Sequence, residues 1–105
     1  MKTITKKEFE TEVLKATTLV LVDFYTNDCS PCRIIAPVLE EIERESAGKL
    51  KLVKVDAVAE QDLTLTWRVS TVPTLLLFKA GTVVGQRVGA PTKKALLQWI
   101  ADSAR

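Results

Sequence analysis

The run Leu19-Val20-Leu21-Val22-Asp23-Phe24-Tyr25 constrains the fold of this chain more than any other segment. Its branched and aromatic side chains show no polar alternation. That pattern belongs to a strand covered on both faces, as in a parallel sheet sheathed by helices. Thr26-Asn27-Asp28 break the run, and from Pro31 to about Ser46 the spacing becomes helical. Ile34, Ile35, Val38, Leu39 and Ile42 are predicted to form one apolar stripe, with Gly48 a stop just beyond it. Pro37 falls inside this helix, where the lost backbone donor predicts a kink.

The other elements follow from the same periodicities. Thr5 followed by Glu8 has the form of a capping box opening a helix over Lys6 to Lys15, with Phe9, Val13 and Leu14 at helical spacing. Leu50 to Val55 is a second strand ending at Asp56, and Glu60 to Arg68 a short helix with Leu63 and Trp67 one turn apart. After Pro73, Thr74 to Lys79 is a strand that Ala80-Gly81 turns into Thr82 to Val88, a two-residue hairpin. Pro91-Thr92 opens a last helix, Lys93 to Ser103, expected to carry Leu96, Leu97, Trp99 and Ile100 inward. With Thr3-Ile4 as a short edge strand, the fold class is α/β: a central mixed five-stranded sheet flanked by four helices. Strands separated by helical crossovers are expected to pair in parallel, and the hairpin antiparallel.

Composition narrows the class of function. The 105 residues carry 15 Lys or Arg against 13 Asp or Glu, a net charge of +2, and no histidine. No linker, repeat or low-complexity tract interrupts them, so residues 1–105 read as a single domain, with monomer as the default state. A balanced charge gives no footprint for a nucleic-acid partner, and no apolar run approaches a bilayer span, so no membrane is expected. Met1 to Glu8 has no apolar stretch resembling a secretory signal, which fits a cytoplasmic protein. Without histidine there is no Ser-His-Asp or Cys-His unit and no His-ligated metal. Gly-rich phosphate loops are lacking as well, and no cofactor is expected.

Two cysteines remain, spaced as Cys29-Ser30-Pro31-Cys32. A bridge this short encloses almost no chain, so its entropic contribution to stability is small. Two thiols without histidine also make a poor metal site, since structural zinc takes four ligands. The pair lies where a buried strand ends and a helix begins, and residues three apart share one helix face, so the sulfurs can meet at the first turn. A helix N-terminus presents unpaired amides and partial positive charge, favouring thiolate at Cys29. Pro31 removes only an amide that has no intrahelical partner. Cys29, at the exposed end, is then the attacking nucleophile, and Cys32, deeper in the helix, resolves the mixed disulfide. Two inert buried thiols are the competing reading.

Asp23 is the second unusual residue. An ionised carboxylate within an apolar strand is costly, so burial should push its pKa upward. It is either a proton acceptor for Cys32, through water, or a strand-end carboxylate reaching solvent or a backbone amide. Lys54, at matching depth in the neighbouring strand, is either its partial counter-charge or a surface lysine. Trp67 and Trp99 lie on apolar helix faces and read as core.

The landmarks Val22-Asp23-Phe24-Tyr25, Cys29-Ser30-Pro31-Cys32-Arg33, Ala36-Pro37, Lys54-Val55-Asp56, Val72-Pro73-Thr74 and Phe78-Lys79-Ala80-Gly81 occur in an order and spacing that resembles the thioredoxin family over about residues 3–103. The resemblance implies a thioredoxin-like fold, Cys29 attacking substrate disulfides, Cys32 resolving them, Asp23 as buried acid/base group and Lys54 as the neighbour that modulates it. It also implies a cis Val72-Pro73 peptide facing the cysteines. A substrate groove of Asp28, Ser30, Pro31, Thr71, Val72, Pro73 and Gly89 is the further implication. Two departures stand out. The family's usual Trp before the first cysteine is Asp28 here, and the usual Gly after it is Ser30. A carboxylate beside Cys29 opposes its thiolate and removes apolar contact surface, so a narrower or different clientele is expected.

The leading expectation is a thiol–disulfide oxidoreductase that reduces protein disulfides through a redox-active Cys29–Cys32 pair. Its partners would be disulfide-containing proteins and thioredoxin reductase or another electron donor. The alternatives are a binding module of the same fold with an incidental disulfide, and an oxidant or isomerase.

Overall fold

β2 (Leu19–Tyr25) lies at the centre of a five-stranded sheet, as its two-sided apolarity requires. The computed structural model describes all 105 residues. The other strands are β1 (Lys2–Thr3), β3 (Leu50–Asp56), β4 (Thr74–Lys79) and β5 (Thr82–Val88), and the order across the sheet is β1-β3-β2-β4-β5. The helices are α1 (Lys6–Phe9), α2 (Ser30–Glu45), α3 (Gln61–Thr66) and α4 (Lys93–Ser103). None of them is long and apolar enough to cross a membrane.

Alternation along the strands divides the core into two layers. Val20, Val22, Phe24, Val53, Val55, Leu76 and Phe78 face one way, against Phe9, Val13 and Leu63. Leu21, Leu50, Leu52, Leu75 and Leu77 face the other, against Ile35, Leu39 and Ile42 of α2 and Leu96 of α4. Trp67 packs against the first layer and Trp99 against the second, as expected of core aromatics.

One pairing differs from the sequence expectation. β1 and β2 both pair in parallel with β3, but β4, which follows a helical crossover, pairs antiparallel with β2 and not with β3. The reason is length. The six residues of α3 rise about 9 Å, whereas a seven-residue strand spans about 23 Å. The helix by itself therefore does not return the chain to the start of the sheet, and the rest of the connection stays at the end where β3 finishes. β4 starts instead at the end where β2 and β3 finish, with Thr74 opposite Phe24 and Tyr25 opposite Asp56. That reversal brings Pro73 to the same end of the sheet as the cysteine turn.

Smaller differences have local causes. The first helix is α-helical only to Phe9; Glu10–Leu14 form a π turn closed by Lys15 N donating to Glu10 O at 2.9 Å. The Leu14 carbonyl there lies 2.9 Å from where a Cβ on Gly81 would sit, so this hairpin position has no room for a side chain. Ala80 and Gly81 both take positive φ, 51° and 79°, as a two-residue hairpin with right-twisted strands requires. The edge strand is Lys2–Thr3 rather than Thr3-Ile4, with Ile4 N still donating to Lys54 O at 2.8 Å. α2 continues through Pro37. Ile34 and Leu97, expected inward, are 66% and 45% exposed. At 100° per residue each lies roughly 110–120° from the centre of its helix's buried stripe, which is wider than the core-facing arc.

Candidate active site

The site is assembled at the C-terminal end of β2. Thr26-Asn27-Asp28 leave the strand, and Cys29 is the N-cap of α2 with extended backbone at φ −96°, ψ 109°. Its Sγ accepts the backbone N–H of Cys32 at 3.1 Å, satisfying one of the orphan donors of the first turn. Cys29 and Cys32 are joined as a disulfide, their Cα atoms 5.2 Å apart. Pro31 occupies the first turn, where its missing donor is harmless. In this form the contrast between an exposed and a deep cysteine is slight: Cys29 is 8% exposed and Cys32 5%. Ser30 and Pro31 are themselves exposed.

Behind the disulfide lies a cavity of about 190 Å³ lined by Asp23, Cys32, Lys54 and Tyr25, with Thr26, Asn27, Arg33 and Ala36 completing it. Asp23 is buried, and its Oδ1 has no hydrogen-bond partner in the protein. Burial pushes its pKa from 3.8 up to about 6, and the charge of Lys54 pulls the other way. The strand-end alternative, a carboxylate reaching solvent or an amide, is therefore not what the fold builds. Lys54 is the direct register partner of Asp23 across the parallel β2–β3 pair, on the same face of the sheet. Its Nζ stands 4.3 Å from the centre of the Tyr25 ring, a cation–π contact that holds the ammonium inside the cavity. Cys32, Asp23 and Lys54 are thus brought together, and the space between them is large enough for water.

The outer rim is built by the turns that β4 and β5 bring to this end. The Val72-Pro73 peptide is cis, Pro73 is buried, and Thr74 Oγ1 donates to Thr71 O at 2.6 Å. Gly89 N donates to Pro73 O at 3.0 Å. Gly89 has φ +92° with open space where a Cβ would be, so glycine serves conformation there, not close contact. Thr71 and Val72 line a hollow of about 210 Å³ together with Thr26 and Ala57, linking the β4 turn to the cysteine loop. Asp28 is exposed, and its Oδ1 accepts from Thr26 Oγ1 at 3.0 Å.

Arg33 received no role from the sequence. Its Nη1 donates to Asn27 O at 2.8 Å and its Nη2 to Ser30 Oγ at 3.4 Å, so one guanidinium ties together the two sides of Cys29. The i,i+3 spacing of Ser30 and Arg33 was a signal for the second contact; the first depends on how the loop folds back. No three His, Cys, Asp or Glu side chains come together in a way that could hold a metal ion. The arrangement offers one chemistry, exchange between a thiolate at a helix N-terminus and a disulfide, with a buried carboxylate nearby to manage a proton.

Comparison with known proteins agrees. The family model described as Thioredoxin matches residues 1–102. The chain is similar to Thioredoxin C-2 of Corynebacterium nephridii, 47% identical over 91% of this chain and 89% of that protein. It is 43% identical to thioredoxin of Pseudomonas aeruginosa, over 92% of this chain and 90% of its relative. With thioredoxin of Rickettsia bellii the identity is 38%, over 95% of both.

Proposed function

The chain belongs to the thioredoxin family and is a thiol–disulfide oxidoreductase, a protein-disulfide reductase, and from that premise we propose that Cys29 is its nucleophile, Cys32 its resolving thiol and Asp23 the base that activates Cys32. The observation that carries this assignment is the Cys29 Sγ at the N-cap of α2. In the reduced protein the same Cys32 N–H and helix dipole favour a thiolate there.

The cycle follows from the geometry. The Cys29 thiolate attacks one sulfur of the substrate disulfide, forming a mixed disulfide and expelling a substrate thiolate, which takes a proton from solvent. Cys32 gives its proton to Asp23 through water in the cavity and attacks Cys29 Sγ. The Cys29–Cys32 bond forms, the second substrate thiolate leaves and takes up a proton from solvent, and Asp23 gives the Cys32 proton back to solvent. The substrate has then gained two electrons and two protons, and the protein must be re-reduced. With a pKa of about 6, Asp23 is mostly ionised near neutral pH and available as an acceptor. Lys54, held over Tyr25, tunes that carboxylate.

Disulfide-containing proteins and a reductase are the partners that family membership implies. We assign Asp28, Ser30, Pro31, Thr71, Val72, Pro73 and Gly89 to the groove in which an extended substrate segment lies, because the turns that carry them are at the end of the sheet from which the cysteine loop leaves β2. The protein acts as one 105-residue unit, a monomer in the cytoplasm whose work needs neither membrane nor nucleic acid. A working dithiol fits a reducing compartment.

The test is reduction of insulin by wild type, Cys29→Ser and Cys32→Ser, with mixed disulfides trapped and mapped. Cys29→Ser should abolish turnover, and Cys32→Ser should accumulate covalent adducts through Cys29. Retained activity in Cys29→Ser, or adducts that map to Cys32, would overturn the assignment.

A further inference from the structure

We propose that Asp28 selects substrates by charge, favouring protein disulfides flanked by Lys or Arg over those flanked by Asp or Glu; this rests on Cys29 being the nucleophile. Asp28 immediately precedes Cys29, its Cα about 3.8 Å away along the chain. A segment that delivers a sulfur to Cys29 must therefore pass close to its carboxylate.

The carboxylate is both oriented and left charged. Asp28 is exposed, and the Thr26 hydroxyl holds its Oδ1 at 3.0 Å without neutralising it. None of the protein's ion pairs includes Asp28. Neither cation of the site pairs with it. Arg33 donates to Asn27 O and Ser30 Oγ, and Lys54 sits over the Tyr25 ring in the cavity behind the disulfide. Asp23, the other carboxylate of the site, is buried. An approaching substrate thus meets the unpaired Asp28 carboxylate next to the attacking residue, together with the Arg33 guanidinium that spans the cysteine turn, and substitution at 28 removes only the negative part of that field. The bonds made and broken stay those of the cycle above. Asp28 alters only which substrates form the encounter.

Single-turnover reduction by the pre-reduced protein tests this with three cyclic peptides identical except for Lys, Ser or Glu beside each cysteine. Lysine-flanked disulfides exchange faster intrinsically, so the informative quantity is how their rate ratio to the Glu-flanked peptide changes with residue 28. All substrates meet the same Cys29, so changes in its nucleophilicity cancel in that ratio. Relative to Asp28→Asn, wild type should show a Lys-to-Glu ratio about fivefold larger at low salt, converging on the variant at molar salt. Asp28→Lys should move the ratio the opposite way by a similar factor. If all three peptides are reduced but the ratio is the same in the three proteins, the selection proposal is overturned while the nucleophile assignment stands. If no peptide is reduced by the wild type, the assignment of Cys29 fails and takes this proposal with it.

Discussion

The two faces of the central sheet are built from the same strands yet serve different ends. The face covered by α1 and α3 carries only Thr74 and the half-buried Lys51 among its apolar side chains and closes on an aromatic triangle: Phe9, Trp67 and Phe78 have ring centres 5.1–5.8 Å apart. The face covered by α2 and α4 is equally apolar through Leu21, Leu50, Leu52, Leu75 and Leu77. At the C-terminal ends of β2 and β3, however, it carries Asp23, Tyr25 and Lys54, and there it borders the disulfide. Because side chains alternate along a strand, β2 presents Val22 and Phe24 to one layer while Asp23 faces the other. Both faces bury a full apolar layer, and the cost of a buried charge is confined to the rim of the second.

Phe78→Ala should break the first half of that comparison with the largest effect. Removing a buried ring from the triangle costs about 3–5 kcal/mol in chemical denaturation, with the rate of peptide-disulfide reduction little changed where the variant stays folded. A reduction rate that fell as far as in an active-site variant would mean that the two faces are not separable.

Asp23→Asn addresses the second half. Below pH 3.8 the carboxyl is protonated folded and unfolded, and the substitution gains nothing. Between 3.8 and about 6 the unfolded chain has ionised while the folded one keeps its proton, so wild-type stability declines. Above about 6 the penalty is complete, at most about 3 kcal/mol at roughly 1.4 kcal/mol per pKa unit. The variant should therefore match wild type near pH 3.5, exceed it by up to that amount at pH 8, and accumulate mixed disulfide, as the role proposed for Asp23 toward Cys32 requires. A stability difference that does not vary with pH would refute the buried-ionised account.

Asp28→Trp has the smallest expected effect. Replacing a like charge beside the thiolate by apolar contact surface should raise insulin turnover about two- to fivefold. No change, or a loss, would show that residue 28 does not limit a generic clientele.

Much of this was legible in one dimension. β2, β4, β5 and α4 were readable to the residue, because bounded apolar runs, the 3.6-residue period and the turn residues between them agree locally. The cysteine pair, its place at a strand-to-helix junction and the anomaly of Asp23 were also visible, since an acid within an apolar run is conspicuous at any stage. What local pattern could not supply was direction. The antiparallel entry of β4 depends on how far α3 reaches, and with it the placing of Pro73 and Gly89 at the end of the sheet where the cysteine turn leaves β2. The same holds for Arg33 bridging Asn27 and Ser30, for Lys54 lodging over Tyr25, and for the small difference in exposure between Cys29 and Cys32.

Residue order alone therefore determined the elements, the cysteine pair and the buried acid, because hydrophobic period, capping and burial cost act within a few neighbouring residues. Only the folded chain decided which turns share the active end of the sheet and which charges there remain free. Those outcomes depend on crossover lengths and side-chain reach between segments roughly fifty residues apart, which no local pattern encodes.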